Sequence, residues 1–258
     1  MQNRWNDEEA AAADSPLAEC VGVSRLLGAD SSLVLYGGGN TSVKVVEPDM
    51  YGNESEVLYV KGSGWDLADI QPHGFAPVYA DKVRRLVDLE TLSDTSMLKA
   101  LRGALVDPSA PTPSVEAILH AVIPDVSVQH THPNALLAIA NTRNGIDKVR
   151  SLYGERVIVV PYAMSGFRVA RAAALAYRRE VTDATIGLVL MNHGVFTFGD
   201  DARQAYHRMV EIVDAAEAFL EANSRGGESP IPQSPIPAID RLQVAELRKD
   251  VSSAAGKP

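Results

Sequence analysis

The chain has a single cysteine, Cys20, among 258 residues. One thiol excludes an internal disulfide framework and fits a reducing cytoplasm. Cys20 lies in an apolar, helix-like stretch and reads as a packing residue. No apolar run approaches the roughly 20 residues that a membrane-crossing helix needs. The opening segment, with Asp7, Glu8 and Glu9, is too acidic for a signal peptide. Basic residues are outnumbered, 24 Lys and Arg against 33 Asp and Glu, for a net charge of -9. That balance argues against sequence-independent binding to nucleic acid or anionic membrane. It still permits a phosphorylated metabolite, provided local donors and a metal supply the positive field. What remains is ordinary for a globular protein: 46% hydrophobic and 22% charged residues, in a length that buries an ample core.

Residues 1 to 14 read as a loose, polar end, and apolar periodicity predicts a helix from about Pro16 to Leu27. Strands are expected at Ser32–Tyr36, Thr41–Val46 and Glu56–Val60, separated by glycine-rich turns, as an antiparallel meander. Helices are expected at Asp81–Leu92 and Asp94–Leu105. Another runs from Thr112, as its cap, and Pro113, at its first position, to Val122. A strand at 126–132, a helix from Pro133 to Ala140, a strand at Val157–Pro161, a helix at Arg168–Arg179 and a strand at Ile186–Met191 follow. The longest helix, Ala202–Ala222, carries a core stripe of Tyr206, Met209, Val213, Ala216 and Leu220, with His207 on the solvated side. Residues 1–225 form one expected domain. Gly226–Pro237 reads as a proline-rich linker, and 226–258 as linker and tail with a weak helical signal after Ile239.

Three histidines carry the chemistry. His130 and His132 stand two apart on the predicted strand, so both imidazoles face the same side. His193 follows the apolar run Ile186–Met191, at the end of another strand. Three imidazoles converging on one point leave a metal position open to substrate. Taken alone, a His-x-His pair also fits two polar residues on a half-buried strand.

Gly37-Gly38-Gly39-Asn40 lacks the helix that a dinucleotide fingerprint requires after its glycines. It reads either as a hairpin turn or as a turn whose amides and Asn40 face an anion. Lys61-Gly62-Ser63-Gly64 repeats that arrangement. Glu116 falls in the first turn of its predicted helix, where a carboxylate also merely complements the helix dipole. Ser114 lies near the same end, where free amides suit a phosphate. His120, four residues after Glu116, reads as a structural or surface residue rather than a ligand.

Taken in order, Gly-Asn-Thr-Ser at 39–42, Gly-Ser-Gly at 62–64, Pro-Ser-Val-Glu at 113–116, His-Thr-His-Pro at 130–133 and Asn-His-Gly at 192–194 resemble the class II aldolase and adducin-head superfamily. The resemblance covers roughly residues 16 to 222. Gly-Gly-Gly-Asn-Thr-Ser-Val-Lys and Gly-Val-Phe-Thr-Phe-Gly-Asp look closest to the aldolase part of bifunctional aldolase-dehydrogenase proteins, and the tail is similar to the junction before their dehydrogenase.

The resemblance implies a three-layer α/β/α fold with a mostly antiparallel sheet, and a homotetramer with sites at subunit interfaces. It implies zinc, with manganese, cobalt or iron as alternatives, on His130, His132 and His193, and Glu116 as the proton shuttle. Gly39, Asn40, Ser63, Gly64 and Ser114 match the phosphate-binding positions. The implied reaction is cleavage of a ketose 1-phosphate to dihydroxyacetone phosphate and an aldehyde. A tyrosine then serves as the second proton donor, Tyr153 being preferred over Tyr162. Val115 departs from the fuculose-phosphate aldolase pattern, which has a second serine there. Decarboxylases, dehydratases and 4-epimerases of the superfamily are the alternative activities, although the epimerases usually carry aspartate at the place of Glu116. Adducin-type scaffolds lose the metal histidines, which this chain keeps.

Overall fold

The computed structural model describes residues 1–49, 51–223 and 241–256. Helices α1 (Asp7–Ala11) and α2 (Pro16–Gly28) lead into strands β1 (Asn40–Pro48), β2 (Glu54–Lys61) and β3 (Phe75–Tyr79). Helices α3 (Ala80–Arg84), α4 (Asp94–Gly103) and α5 (Ala117–Val122) precede strand β4 (Ser127–Thr131). Helices α6 (Asn134–Ala140) and α7 (Gly145–Tyr153), strand β5 (Val157–Val160) and helix α8 (Phe167–Glu180) follow. The hairpin β6 (Gly187–Leu190) and β7 (Gly194–Gly199) then leads to α9 (Ala202–Asn223), and α10 (Arg241–Ala254) lies beyond. Met1–Ala222 forms one compact unit; Asn223–Pro258 forms a second, in which α10 is the described helix. Among the described residues, no helix is long and apolar enough to cross a membrane.

The strands form one sheet of seven, in the order β3-β2-β1-β4-β7-β6-β5. All neighbours are antiparallel except β5 and β6, whose parallel pairing uses α8 as the crossover. Side chains alternate between the faces of a strand, and the apolar residues follow that period. Ile158, Val160, Leu188, Leu190, Phe196 and Phe198 pack into one cluster with residues of α3, α4, α5 and α8. Val157, Val159, Val189 and Val195 pack into another with residues of α2, α6, α7 and α9. Both faces are covered, which makes the α/β/α layering. Full burial of a side chain such as Phe196 is worth about 1.5–3 kcal/mol relative to exposure, so the central strands are firmly anchored.

Several local expectations are corrected. Ser32–Tyr36 is a succession of turns, not a strand. Asp30 accepts from both the amide and the hydroxyl of Ser32, and its carbonyl accepts from Leu33 and Val34. This side-chain turn chemistry overrides the apolar run, while Leu33 and Val34 still enter the core. Thr112 and Pro113 do not start a helix. Ser63 N donates to Thr112 O and Ser114 N to Lys61 O, with an isolated bridge between Gly62 and Pro113. Pairing with the glycine loop therefore delays the helix until Ala117.

The predicted helix at Asp81–Leu92 is shorter, giving way to a 3-10 turn at Arg85–Asp88. Strands β3 and β7 were not anticipated. The amino-terminal segment is tied down: Asn6 caps α1, Trp5 packs its ring on Tyr206, and the Met1 ammonium pairs with Asp214 and Glu217. His207 is half-buried, edge-on to Trp5, not solvated. The proposed linker at Gly226–Pro237 lies outside the described residues.

Candidate active site

The sheet register assembles the histidines. Asn40 on β1 lies opposite His130 on β4, and Thr131 lies opposite Val195 on β7. His132 leaves the end of β4, and His193 ends the tight turn from β6 to β7. That turn passes through Asn192 at φ 62, a left-handed conformation that asparagine tolerates better than most residues. The ligand atoms of His130, His132 and His193 all lie within 4.8 Å of one another. His130 is fully buried and stacked on Phe196, with ring centroids 4.1 Å apart. A methyl group on Gly194 would stand 2.7 Å from His132 Cδ2 and 2.9 Å from His130 Cε1. Glycine there lets the rings close in.

The donor set suits a divalent cation. Burial, and then the neighbouring His132 and His193, hold His130 well below the usual imidazole range. Its ring is therefore neutral. Nδ1 lies 3.0 Å from the carbonyl of Val195, so Nδ1 carries the proton and the Nε2 lone pair points into the site. A metal-binding histidine usually donates its other ring N–H to a carbonyl or carboxylate in this way. Nε2 of His130 and Nε2 of His132 are 3.0 Å apart. Burial also lowers the pKa of His132.

Glu116 completes the cluster. Its Oε2 lies 3.5 Å from His130 Nε2, and its Oε1 lies 3.3 Å from His193 Nε2. Asn40 Nδ2 donates to Oε2 at 2.6 Å, whereas Oε1 is buried without a hydrogen-bond partner. A buried, unpartnered carboxylate oxygen calls for a proton or a cation. Three imidazoles and this carboxylate form a donor set that fits a divalent cation such as zinc.

Beside the cluster lies a pocket of about 260 Å³, walled by both glycine loops, Ser114, Glu116, His132 and His193. Of the sequence-derived anion positions, Gly39, Asn40, Ser63, Gly64 and Ser114 all line it. Gly39 has φ 63, and a Cβ there would meet His130 O at 2.8 Å, so only glycine fits. Gly64 needs glycine for its φ of 84 alone, since the space around it is open. Ser114 Oγ accepts from Glu116 N at 3.3 Å, which leaves its hydroxyl proton to donate. Val115 is exposed at the pocket and offers no hydroxyl.

Lys61, Ser165 and Gly166 also line the pocket but were not singled out beforehand. Lys61 is buried and donates to the carbonyls of Gly37 and Trp65, tying the two glycine loops together. Burial pushes its pKa down to about 8. A charged residue closing the apolar strand Val57–Val60 was the available signal.

Tyr153 does not join the site, which corrects the sequence expectation. It ends α7, and its buried hydroxyl donates to the Ile212 carbonyl at 2.8 Å. Tyr162 is exposed, near Asn192. Tyr153→Phe is expected to lower stability by about 1 kcal/mol, the net worth of one hydrogen bond. Thermal melting should show the loss, and catalytic rates should not change. A selective loss of rate at unchanged stability would return Tyr153 to the chemistry.

Residues 18–220 match the family model described as "Class II Aldolase and Adducin N-terminal domain". A Bacillus subtilis (strain 168) protein named uncharacterized oxidoreductase YuxG is 35% identical over 221 residues. That match covers 85% of this chain and 32% of the relative, so the chain spans about a third of that protein's length. The structure of the N-terminal class II aldolase domain of a conserved protein from Thermoplasma acidophilum is 40% identical, with a TM-score of 0.78. It covers 85% of this chain and 99% of that one. A sugar-phosphate aldolase from Thermotoga maritima shares the fold at 19% identity and a TM-score of 0.59, over 82% of this chain and 96% of that chain. This protein is a member of the class II aldolase and adducin N-terminal domain family.

Proposed function

We propose that this protein is a zinc-dependent lyase that reversibly cleaves a ketose 1-phosphate to dihydroxyacetone phosphate and an aldehyde. The observation that carries the reading is Glu116, set between His130 and His193 with one oxygen buried and unpartnered, at the wall of a pocket lined by two glycine loops. His130, His132 and His193 would hold the ion. When bound, zinc supplies Lewis-acid polarisation of the substrate's carbonyl and hydroxyl oxygens, and manganese, cobalt or iron can take its place on imidazole ligands.

The residues of the chain do the rest. Gly39, Asn40, Ser63, Gly64 and Ser114 grip the phosphate through amides, a side-chain amide and hydroxyls. In cleavage the C3–C4 bond breaks, the C4 hydroxyl passes its proton to water in the open pocket, and Glu116 supplies the proton that C3 gains. The reading includes a homotetramer in the cytoplasm. Light scattering that gives a monomer would remove the assembly.

The test is a screen of sugar phosphates, phosphorylated sugar acids among them, with the zinc-loaded full chain, scoring dihydroxyacetone phosphate, carbon dioxide and dehydration products side by side. Dihydroxyacetone phosphate from one sugar supports the reading. Carbon dioxide or a dehydrated product alone would move the protein to a decarboxylase or dehydratase. Absence of all three products would overturn the lyase assignment.

A further inference from the structure

Behind Glu116 runs a chain of buried hydrogen bonds that the reaction just described does not use. Ser42 Oγ lies 2.7 Å from His120 Nδ1, His120 Nε2 lies 2.5 Å from Asn40 Oδ1, and Asn40 Nδ2 lies 2.6 Å from Glu116 Oε2. Ser42 and His120 are wholly buried and Asn40 is nearly so. The match between the two elements is one of spacing. Asn40 and Ser42 are two apart on β1, which places them on one face about 6.6–6.8 Å apart. Glu116 and His120 are four apart at the start of α5, about 6 Å along the helix. A strand pair and a helix pair of nearly equal pitch thus interlock.

The protons in this chain have one consistent arrangement. Glu116 Oε2 is an acceptor, so Asn40 turns its amine toward it and its carbonyl toward His120. That carbonyl only accepts, so His120 Nε2 carries the proton. Burial drives the His120 pKa down to about 3, so the ring is neutral and Nδ1 is bare. Ser42 must then donate its hydroxyl proton to Nδ1. Each donor faces an acceptor, and Phe196 packs edge-on against the ring, with centroids 5.4 Å apart.

We infer that His120 is a positioning residue: held by Ser42, it fixes the Asn40 amide so that one side chain both orients the Glu116 carboxylate and faces the anion pocket. Asn40 lines the pocket and has a second amine proton beyond the one given to Glu116. Phosphate grip and carboxylate orientation therefore share one side chain, locked from behind by a neutral imidazole. Only the kinetic readout below rests on the lyase reading.

The test compares His120→Leu with His120→Gln in the full chain. Leucine removes the donor to Asn40, whereas glutamine restores an N–H toward it. In crystal structures of the leucine variant, the Asn40 amide is expected to leave its place and the Glu116 carboxylate to shift. Nitrogen-15 spectra of the wild type should show His120 as the neutral Nε2–H tautomer. Exchange of a carbon-bound proton of dihydroxyacetone phosphate in heavy water should fall about 10–100-fold with leucine, the usual cost of losing an outer supporting residue. Glutamine should recover most of that rate.

Asn40 and Glu116 unmoved in the leucine variant, or equal losses with leucine and glutamine, would overturn the inference. If His120→Leu fails to fold, Ser42→Ala decides. In that variant a displaced Asn40 amide and slowed exchange support the inference, and Asn40 and Glu116 unmoved with exchange at the wild-type rate overturn it. If the wild type itself exchanges no proton, the lyase reading has failed, and the structural and spectroscopic results decide the positioning role alone.

Discussion

Alanine at His193 is expected to strip the protein of tightly held zinc while leaving the metal-free fold nearly as stable as before. The side chain is 27% exposed, at the turn between β6 and β7. Truncation away from the core typically changes stability by no more than about 0.5 kcal/mol. What it removes is one of the three clustered imidazoles. Loss of an outer supporting residue alone costs about 10–100-fold in metal affinity, and loss of a ligand should exceed that.

His130→Ala should lose zinc as well, but with a second effect. His130 is fully buried and stacked on Phe196, so its removal opens a cavity costing about 2–5 kcal/mol whether or not metal binds. The two effects separate in melting curves. Added zinc should raise the wild-type melting temperature, because a ligand that binds only the folded state stabilises it. It should raise neither variant's. The metal-free melting temperature should drop for His130→Ala and hold for His193→Ala. Equal zinc content by elemental analysis in wild type and both variants would sink the assignment.

The sequence carried the parts of this site that depend on short-range rules. His130 and His132 share a face because strands repeat every two residues, and the run before His193 is long enough to read as a strand. Gly37-Gly38-Gly39 and Gly62-Ser63-Gly64 mark turns after apolar runs. What was illegible depends on partners far along the chain. Thr112 and Pro113 look like a helix start until Ser63 is seen donating to the Thr112 carbonyl. Tyr153 looks like a loop residue beside Gly154 until Ile212, on α9, is seen to take its hydroxyl.

His120 reads as structural rather than a ligand, but the helix alone does not show that β1 covers it with Asn40 and Ser42. The strands β3 and β7 alternate visibly, in Phe-Ala-Pro-Val-Tyr and Gly-Val-Phe-Thr-Phe-Gly. They are short segments whose assignment rests on pairing with β2, β4 and β6. The α/β/α layering could be anticipated through the family resemblance, since the strands read alone gave only an antiparallel meander. The interlock behind Glu116 could not.

Glutamine at Glu116 is expected to hold zinc and fold normally, yet cleave substrate about 10²–10⁴-fold more slowly, the usual contribution of a positioned proton-transfer group. The substitution conserves shape. The amide oxygen still accepts from Asn40 Nδ2, so the chain from His120 stays closed. What disappears is the ability to carry a proton, along with the negative charge beside His130 and His193. The loss should therefore fall on kcat, with KM nearly constant, because the phosphate grip lies in other residues.

Glu116→Asp makes the complementary test. It keeps the carboxylate but draws it back by one methylene from Asn40, so a rate between wild type and glutamine is expected. Zinc content measured on the same samples separates the possible roles. Normal zinc with little turnover in Glu116→Gln assigns the proton transfer to Glu116, whereas zinc lost together with turnover makes the carboxylate part of the metal's grip. Undiminished cleavage by the glutamine variant would take Glu116 out of the mechanism, and the buried, unpartnered Oε1 would then need another explanation.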